Sequence, residues 1–159
     1  MMPNTLSKRL LISYKMKKLT LSICLFAVTA TFLLSQQPDN NRITIDSGYV
    51  NTDDGKLYYE IAGKGENIVL LHDGMVNCYI WDEQFLVLAK NYRVVRYDRR
   101  GYGKSTDPRE KYSHIDDLNQ VFNQLKIEKA IVFGMSSGGA LAINFALASP
   151  EKVRGLVLV

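Results

Sequence analysis

The chain is poor in the residues on which disulfide scaffolds and histidine chemistry depend: its 159 residues include two cysteines, two histidines and one tryptophan. Cys24 lies in an apolar N-terminal stretch, which leaves Cys78 alone in the rest of the chain and excludes an internal disulfide there. Cys78 reads as a small, half-buried residue, not as a reactive thiol. Acidic residues are missing from residues 1–35, which carry Lys8, Arg9, Lys15, Lys17 and Lys18. The formal charge of +4 comes from that segment, since the remainder holds 15 basic and 16 acidic side chains. The remainder also lacks a Lys/Arg stripe interleaved with aromatics, which speaks against nucleic-acid binding. Internal repeats and low-complexity tracts are absent as well.

What residues 1–35 do contain is a basic cluster followed by an apolar run from Leu19 to Leu34, in "KMKKLTLSICLFAVTATFLLSQQPDN". This is the layout of a secretory signal peptide, with Met16 as the expected start. Val28-Thr29-Ala30 and Ser35 are alternative cleavage points. An uncleaved anchor is the competing reading, although a run of 16 residues falls short of the roughly 20 that span a bilayer. Cys24 follows the bulky Ile23 inside the apolar run and does not fit a lipoprotein site. The expected product is exported, periplasmic or extracellular, with no stable membrane span once the leader is removed. Residues 36–47 read as a linker and residues 48–159 as one domain, which is the default at this length and at 47% hydrophobic content.

Within that domain, Asp53-Asp54-Gly55 between two extended stretches predicts a hairpin with strands near 48–51 and 56–62. "NIVLLHDG" supplies a short, continuously apolar strand of the kind found in parallel sheets covered on both faces. Trp81, Phe85, Leu88 and Ala89 share one helical stripe and predict a helix over 79–90. "YRVVRYD" is the next strand. Ser113 with Asp116 resembles a capping box before an amphipathic helix carrying Ile115, Leu118, Val121, Phe122 and Leu125. "KAIVFG" is a strand, 137–148 a helix, and "VRGLVLV" a strand after Pro150. The alternation predicts an α/β domain with a mostly parallel sheet and flanking helices.

"VFGMSSGGA" sets Ser136 between Gly134 and Gly138, where the strand "KAIVFG" gives way to a helix of small residues. A tight strand-to-helix turn projects its central side chain and leaves no room for side chains on the flanking residues, which is the logic of the Gly-x-Ser-x-Gly elbow. Ligands of such sheets bind at the carboxyl ends of the strands, where this loop lies. The first amides of the following helix favour a developing anion, which makes the Ser137 amide a candidate oxyanion donor. Gly74, in "LLHDGM" at the end of the first parallel strand, is the candidate second donor, with Met75 as its near neighbour. In "DRRGYGKS" the Walker and dinucleotide spacings are absent, so Asp98, Arg100, Gly101 and Gly103 read as a structural turn with buried polar bonds. His114 reads as a surface residue at a helix start.

"VLLHDGMVNCYIWDEQ", "VVRYDRRGYGKST" and "VFGMSSGGALAINFALASPEKVRGLVLV" together resemble the His-Gly region, the Asp-x-Arg-Gly-x-Gly-x-Ser loop and the nucleophile elbow of the α/β-hydrolase superfamily. The resemblance covers about residues 48–159. It implies Ser136 as nucleophile, the amides of Gly74 and Ser137 as oxyanion hole, and His72 as a brace for the oxyanion loop. Asp73 departs from the pattern, standing where the family often has glycine. Serine at the elbow speaks against the haloalkane dehalogenases and epoxide hydrolases, which use aspartate there.

In this superfamily the acid and the histidine follow the serine along the chain. Between Ser137 and Val159 there is no histidine, and Glu151 is the only acid. The chain also stops inside an apolar strand. The expectation is therefore the N-terminal part of a serine hydrolase of esters or related acyl compounds, truncated after about the sixth strand and inactive as given. A non-catalytic binding protein on the same fold is the alternative. The expected partner is a small molecule with an acyl group, and no cofactor or metal is called for.

Overall fold

The computed structural model describes residues 43–109 and 111–159. The leader, with its start, cleavage and anchor expectations, lies outside the described residues, as does the linker up to residue 42. Six strands form one sheet in the order β1-β2-β4-β3-β5-β6. They are β1 (Ile45–Thr52), β2 (Gly55–Ala62), β3 (Asn67–Leu71), β4 (Arg93–Tyr97), β5 (Ala130–Gly134) and β6 (Val153–Leu158). β1 and β2 form the hairpin around Asp53-Asp54, longer at its outer end than the motif suggested, and β2 joins β4 antiparallel. From β4 through β3 and β5 to β6 the sheet is parallel.

The continuously apolar strands are explained by the two cores they serve. In β3, Val69 and Leu71 face one side of the sheet, while Ile68 and Leu70 face the other. The two faces alternate with the strand period, and both are covered. On the first face lie α2 (His114–Gln124) and α3 (Ser137–Ala148). Leu118, Val121 and Phe122 of α2 meet Leu141 and Phe145 of α3 there, with the Phe122 and Phe145 rings 4.9 Å apart between centroids. Each such side chain contributes about 1.5–3 kcal/mol through its removal from water. The Ser113 Oγ accepts from the Asp116 amide at 3.2 Å, so α2 starts at the cap its sequence announces.

The second face carries α1 (Asp82–Leu88), preceded by a tighter single turn over Cys78–Trp81. The expected 79–90 helix is thus shorter and begins in a 3₁₀ turn, where Asn77 Oδ1 accepts from the Tyr79 amide at 3.1 Å. Its stripe is as expected: Trp81, Phe85 and Ala89 pack against Ile68, Leu70 and Val94. Cys78 is completely buried, not half-buried, because its turn is drawn under Asp98, whose Oδ1 accepts the Cys78 amide at 2.8 Å. β6 ends the sheet with Leu156 and Leu158 exposed to 38% and 51%, and Val159 after it is exposed to 69%. Among the described residues no helix is long and apolar enough to cross a membrane.

Candidate active site

Ser136 sits where β5 turns into α3, at φ 49° and ψ −115°. A positive φ costs a residue with a Cβ roughly 1–3 kcal/mol, so the turn is held by its neighbours. Gly138 N donates to Met135 O at 2.7 Å, and Met135 N donates to Leu71 O at 3.1 Å. Glycine is required on both sides by contact. A Cβ on Gly134 would stand 2.5 Å from Gly138 O, and one on Gly138 would stand 2.5 Å from Leu71 O. Both Ser136 and Ser137 are exposed at the carboxyl edge of the parallel strands.

The β3 loop reaches the same place. A Cβ on Gly74 would lie 3.1 Å from Ser137 Oγ and 3.7 Å from Tyr102 Oη, so the two candidate oxyanion loops are in contact. His72 is fully buried beneath them. Its Nε2 accepts from the Arg99 amide at 2.9 Å, and its Nδ1 lies 2.6 Å from the Asp73 carbonyl, which makes Nδ1 the protonated nitrogen. Burial pushes the imidazole below its usual pKa, and the Arg99 charge adds to this against the raising effect of the Asp73 carbonyl. His72 is therefore a neutral cross-link between the β3 and β4 loops.

Asp73, partly exposed, turns its carboxylate into this corner. Its Oδ1 accepts the Gly74 amide at 2.5 Å. The Gly74 amide, the Ser136 hydroxyl and the Ser137 amide, with the charge of Arg99 behind them, hold the carboxyl below the ordinary aspartate pKa. The sequence marked Asp73 only as a departure from pattern. The structure places it on the Gly74 amide, in the loop that meets Ser137.

Arg99 went unnoticed in the sequence. It is 4% exposed, donates from Nη2 to Ser137 Oγ at 2.8 Å and lies over the Tyr102 ring. Its Nε has no partner, and it forms no ion pair among the described residues. The doublet Arg99-Arg100 was the available signal, but only Arg100 fits the turn motif.

The Asp98 turn is the buried polar structure its sequence suggested. Asp98 accepts the amides of Cys78 and Lys104 at 2.8 Å each, and Arg100 forms a two-pronged pair with Asp117. His114, expected at the surface, is half-buried with its ring edge-on to Tyr112 at 5.0 Å. Burial and the charges of Arg99 and Arg100 lower its pKa, against Asp117. A cleft of about 400 Å³ opens beside it, lined by Asp53, Asp54, Asp116 and Asp117 around Arg100. That cleft includes none of Gly74, Ser136 and Ser137. Among the described residues no cluster of His, Cys, Asp and Glu could hold a metal ion.

The model of the alpha/beta hydrolase fold family matches residues 67–159, from β3 through the end of β6. A pimeloyl-[acyl-carrier protein] methyl ester esterase of Yersinia enterocolitica is 34% identical over 105 residues, covering 65% of this chain and 40% of the esterase. A proline iminopeptidase of Arabidopsis thaliana is 36% identical over 115 residues, covering 64% of this chain and 29% of the peptidase. A solved N-acyl homoserine lactone degrading enzyme superposes with a TM-score of 0.68 at 36% identity, covering 70% of this chain and 44% of that enzyme. The chain thus spans less than half the length of these relatives. With the elbow, the braced β3 loop and the sheet order in place, the chain belongs to the α/β-hydrolase fold family.

Proposed function

We propose that this chain carries the nucleophile and the oxyanion hole of a serine hydrolase acting on an ester, lactone, thioester or related acyl bond. The observation that carries the reading is the backbone of Ser136, held at φ 49° between two glycines that neighbouring backbone forbids to be anything larger. In this reading Ser136 Oγ attacks the acyl carbon. The amides of Gly74 and Ser137 hold the oxygen on which negative charge develops, where one such donor is worth about 10² to 10³ in turnover. Ser137 also stands at the start of a 12-residue helix, whose aligned peptide dipoles favour that charge.

Serine needs a base, and neither histidine of this sequence is placed to act as one. Both ring nitrogens of His72 are engaged, and His114 belongs to the start of α2 beside Tyr112. The 159 residues given therefore supply nucleophile and oxyanion donors without turnover of their own. A carrier of ligands on the same fold is the second reading, favoured by the resting carboxylate of Asp73 at the place where an oxyanion would sit.

Labelling the protein isolated from its source with a fluorophosphonate, followed by peptide mapping, tests the assignment. The expected adduct is on Ser136; an adduct on another serine overturns it, and a protein that takes no label favours the carrier reading.

A further inference from the structure

The Gly74 amide, one of the two candidate oxyanion donors, already holds an anion, and that anion is part of the chain. Asp73 Oδ1 accepts the amide of its own successor at 2.5 Å, and a methyl group on that successor would lie 3.1 Å from Ser137 Oγ, so the carboxylate is held in the loop that meets the serine turn. A carboxylate oxygen in this position stands in for the charged oxygen of a tetrahedral acyl intermediate. Arg99 adds a buried positive charge behind Ser137, held by its bond to Ser137 Oγ at 2.8 Å. His72, packed under the loop beside Tyr102, is neutral and directed at the backbone.

An acyl group that enters must take this place from Asp73. Because the carboxylate is tethered one residue from the Gly74 amide, displacement moves it only to the rim of the pocket. There it faces whatever substituent stands next to the carbonyl carbon. A hydrogen-bond donor in that position gains a charge-assisted bond, whereas a second negative charge meets repulsion at short range.

We propose that Asp73 is the specificity-determining residue of this site. Its carboxylate is the resident anion of the oxyanion pocket, and it selects acyl compounds that carry an N–H, O–H or ammonium group next to the carbonyl, against those that carry a carboxylate there. The proposal rests on the reading of Ser136 as nucleophile.

Three boronic acids of similar size test it on the full chain: propylboronic, acetamidomethylboronic and 2-carboxyethylboronic acid. In each adduct the boron takes a lone pair of Ser136 Oγ, the hydroxyl proton leaves to buffer, and the negative charge resides on the tetrahedral boronate. Calorimetric titration of the wild type should rank acetamidomethyl first, propyl about tenfold weaker and carboxyethyl weakest. In Asp73→Asn and Asp73→Gly the propyl compound should bind about tenfold more tightly than in the wild type, with the three reagents drawn together.

An unchanged ranking in both variants overturns the proposal while leaving Ser136 as nucleophile. Ser136→Ala that binds all three like the wild type overturns the serine reading, and this proposal with it. Amide NMR supplies a readout that needs no variant: the Gly74 and Ser137 amide protons should shift on one acid titration curve with the Asp73 carboxyl. A Ser137 amide that does not follow Asp73 removes the basis of the proposal.

Discussion

The α-carbon of Gly138 lies against the last carbonyl of β3, so closely that a methyl group on it would stand 2.5 Å from Leu71 O and 2.6 Å from His72 O. One contact therefore fixes the height of the serine turn relative to the loop that carries Gly74. It couples the two halves of the candidate oxyanion hole through backbone alone.

Gly138→Ala should be costly, because the methyl meets backbone that cannot rotate away. Overpacking of this kind costs about 1–3 kcal/mol. Chemical denaturation should register that loss with an unchanged slope, and fluorophosphonate labelling of Ser136 should fall with it. An alanine variant as stable and as reactive as the wild type would contradict the contact.

Ser136→Gly should act in the opposite direction on stability. Glycine adopts a positive φ without the penalty that serine carries, although it loses more freedom on folding. The expected net gain is about 1 kcal/mol, seen as a raised melting temperature with all labelling abolished. A melting temperature below that of the wild type would mean that the hydroxyl stabilises the turn more than its backbone strains it.

The parts of this architecture that could be read in the sequence are those set by short-range pattern. β3 is apolar on both faces because both faces are covered. The helix over Ser137–Ala148 was bounded by Ser136 before it and Pro150 after it. The elbow was readable because sterics leave glycine no substitute at Gly134 and Gly138. What escaped was burial decided by distant partners. Cys78 is sealed in by Asp98, 20 residues on, and Arg99 reaches across 38 residues to Ser137 Oγ. Asp73 has no periodicity to betray it, and only the approach of Gly74 to Ser137 brings its carboxylate to the serine.

A buried ion pair elsewhere in the sheet predicts the pH dependence of stability. Glu60 on β2 accepts from Arg96 Nε and Nη2 at 2.9 and 2.6 Å and from the hydroxyls of Tyr58 and Tyr79 at 2.7 and 3.1 Å. Burial pushes its carboxyl up, but the bonds from Tyr58 and Arg96 outweigh this and leave its pKa below the usual value. The same site pushes the Tyr58 hydroxyl up to about 12, through burial first and the neighbouring Glu60 second. A depressed carboxylate pKa stabilises the fold fully above the unfolded value of about 4.3 and loses that contribution as the pH falls through the folded value. Melting temperatures between pH 7 and 3 should therefore fall for the wild type through that acid window. Glu60→Gln should be less stable at pH 7 by about 1–3 kcal/mol, since Arg96 loses its buried charged partner and keeps only its pair with the more exposed Asp82. Its decline with acid should be shallower. Equal slopes for the two proteins would remove Glu60 from the account.

The purified 159-residue chain should show no serine-dependent turnover. Serine without a proton acceptor is a weak nucleophile, and the two histidines are committed elsewhere. His72 Nε2 accepts an amide hydrogen and Nδ1 faces a carbonyl, so neither nitrogen is available to Ser136 Oγ. Asp73 does face the Ser136 hydroxyl, but the groups around it lower its pKa, which weakens it as a base. Hydrolysis of p-nitrophenyl acetate by the purified chain should therefore equal that of Ser136→Ala. What remains in both is the kind of residual acceleration that binding and an oxyanion hole provide without a complete triad, about 10³ to 10⁴ over water in well-studied serine proteases. Near-UV circular dichroism of both proteins establishes that the comparison is between folded states. Repeated turnover that disappears in Ser136→Ala would mean that a base is present after all. Asp73→Asn, His72→Gln and His114→Gln would then separate the candidates, because only the variant lacking the true base should lose turnover along with the serine variant.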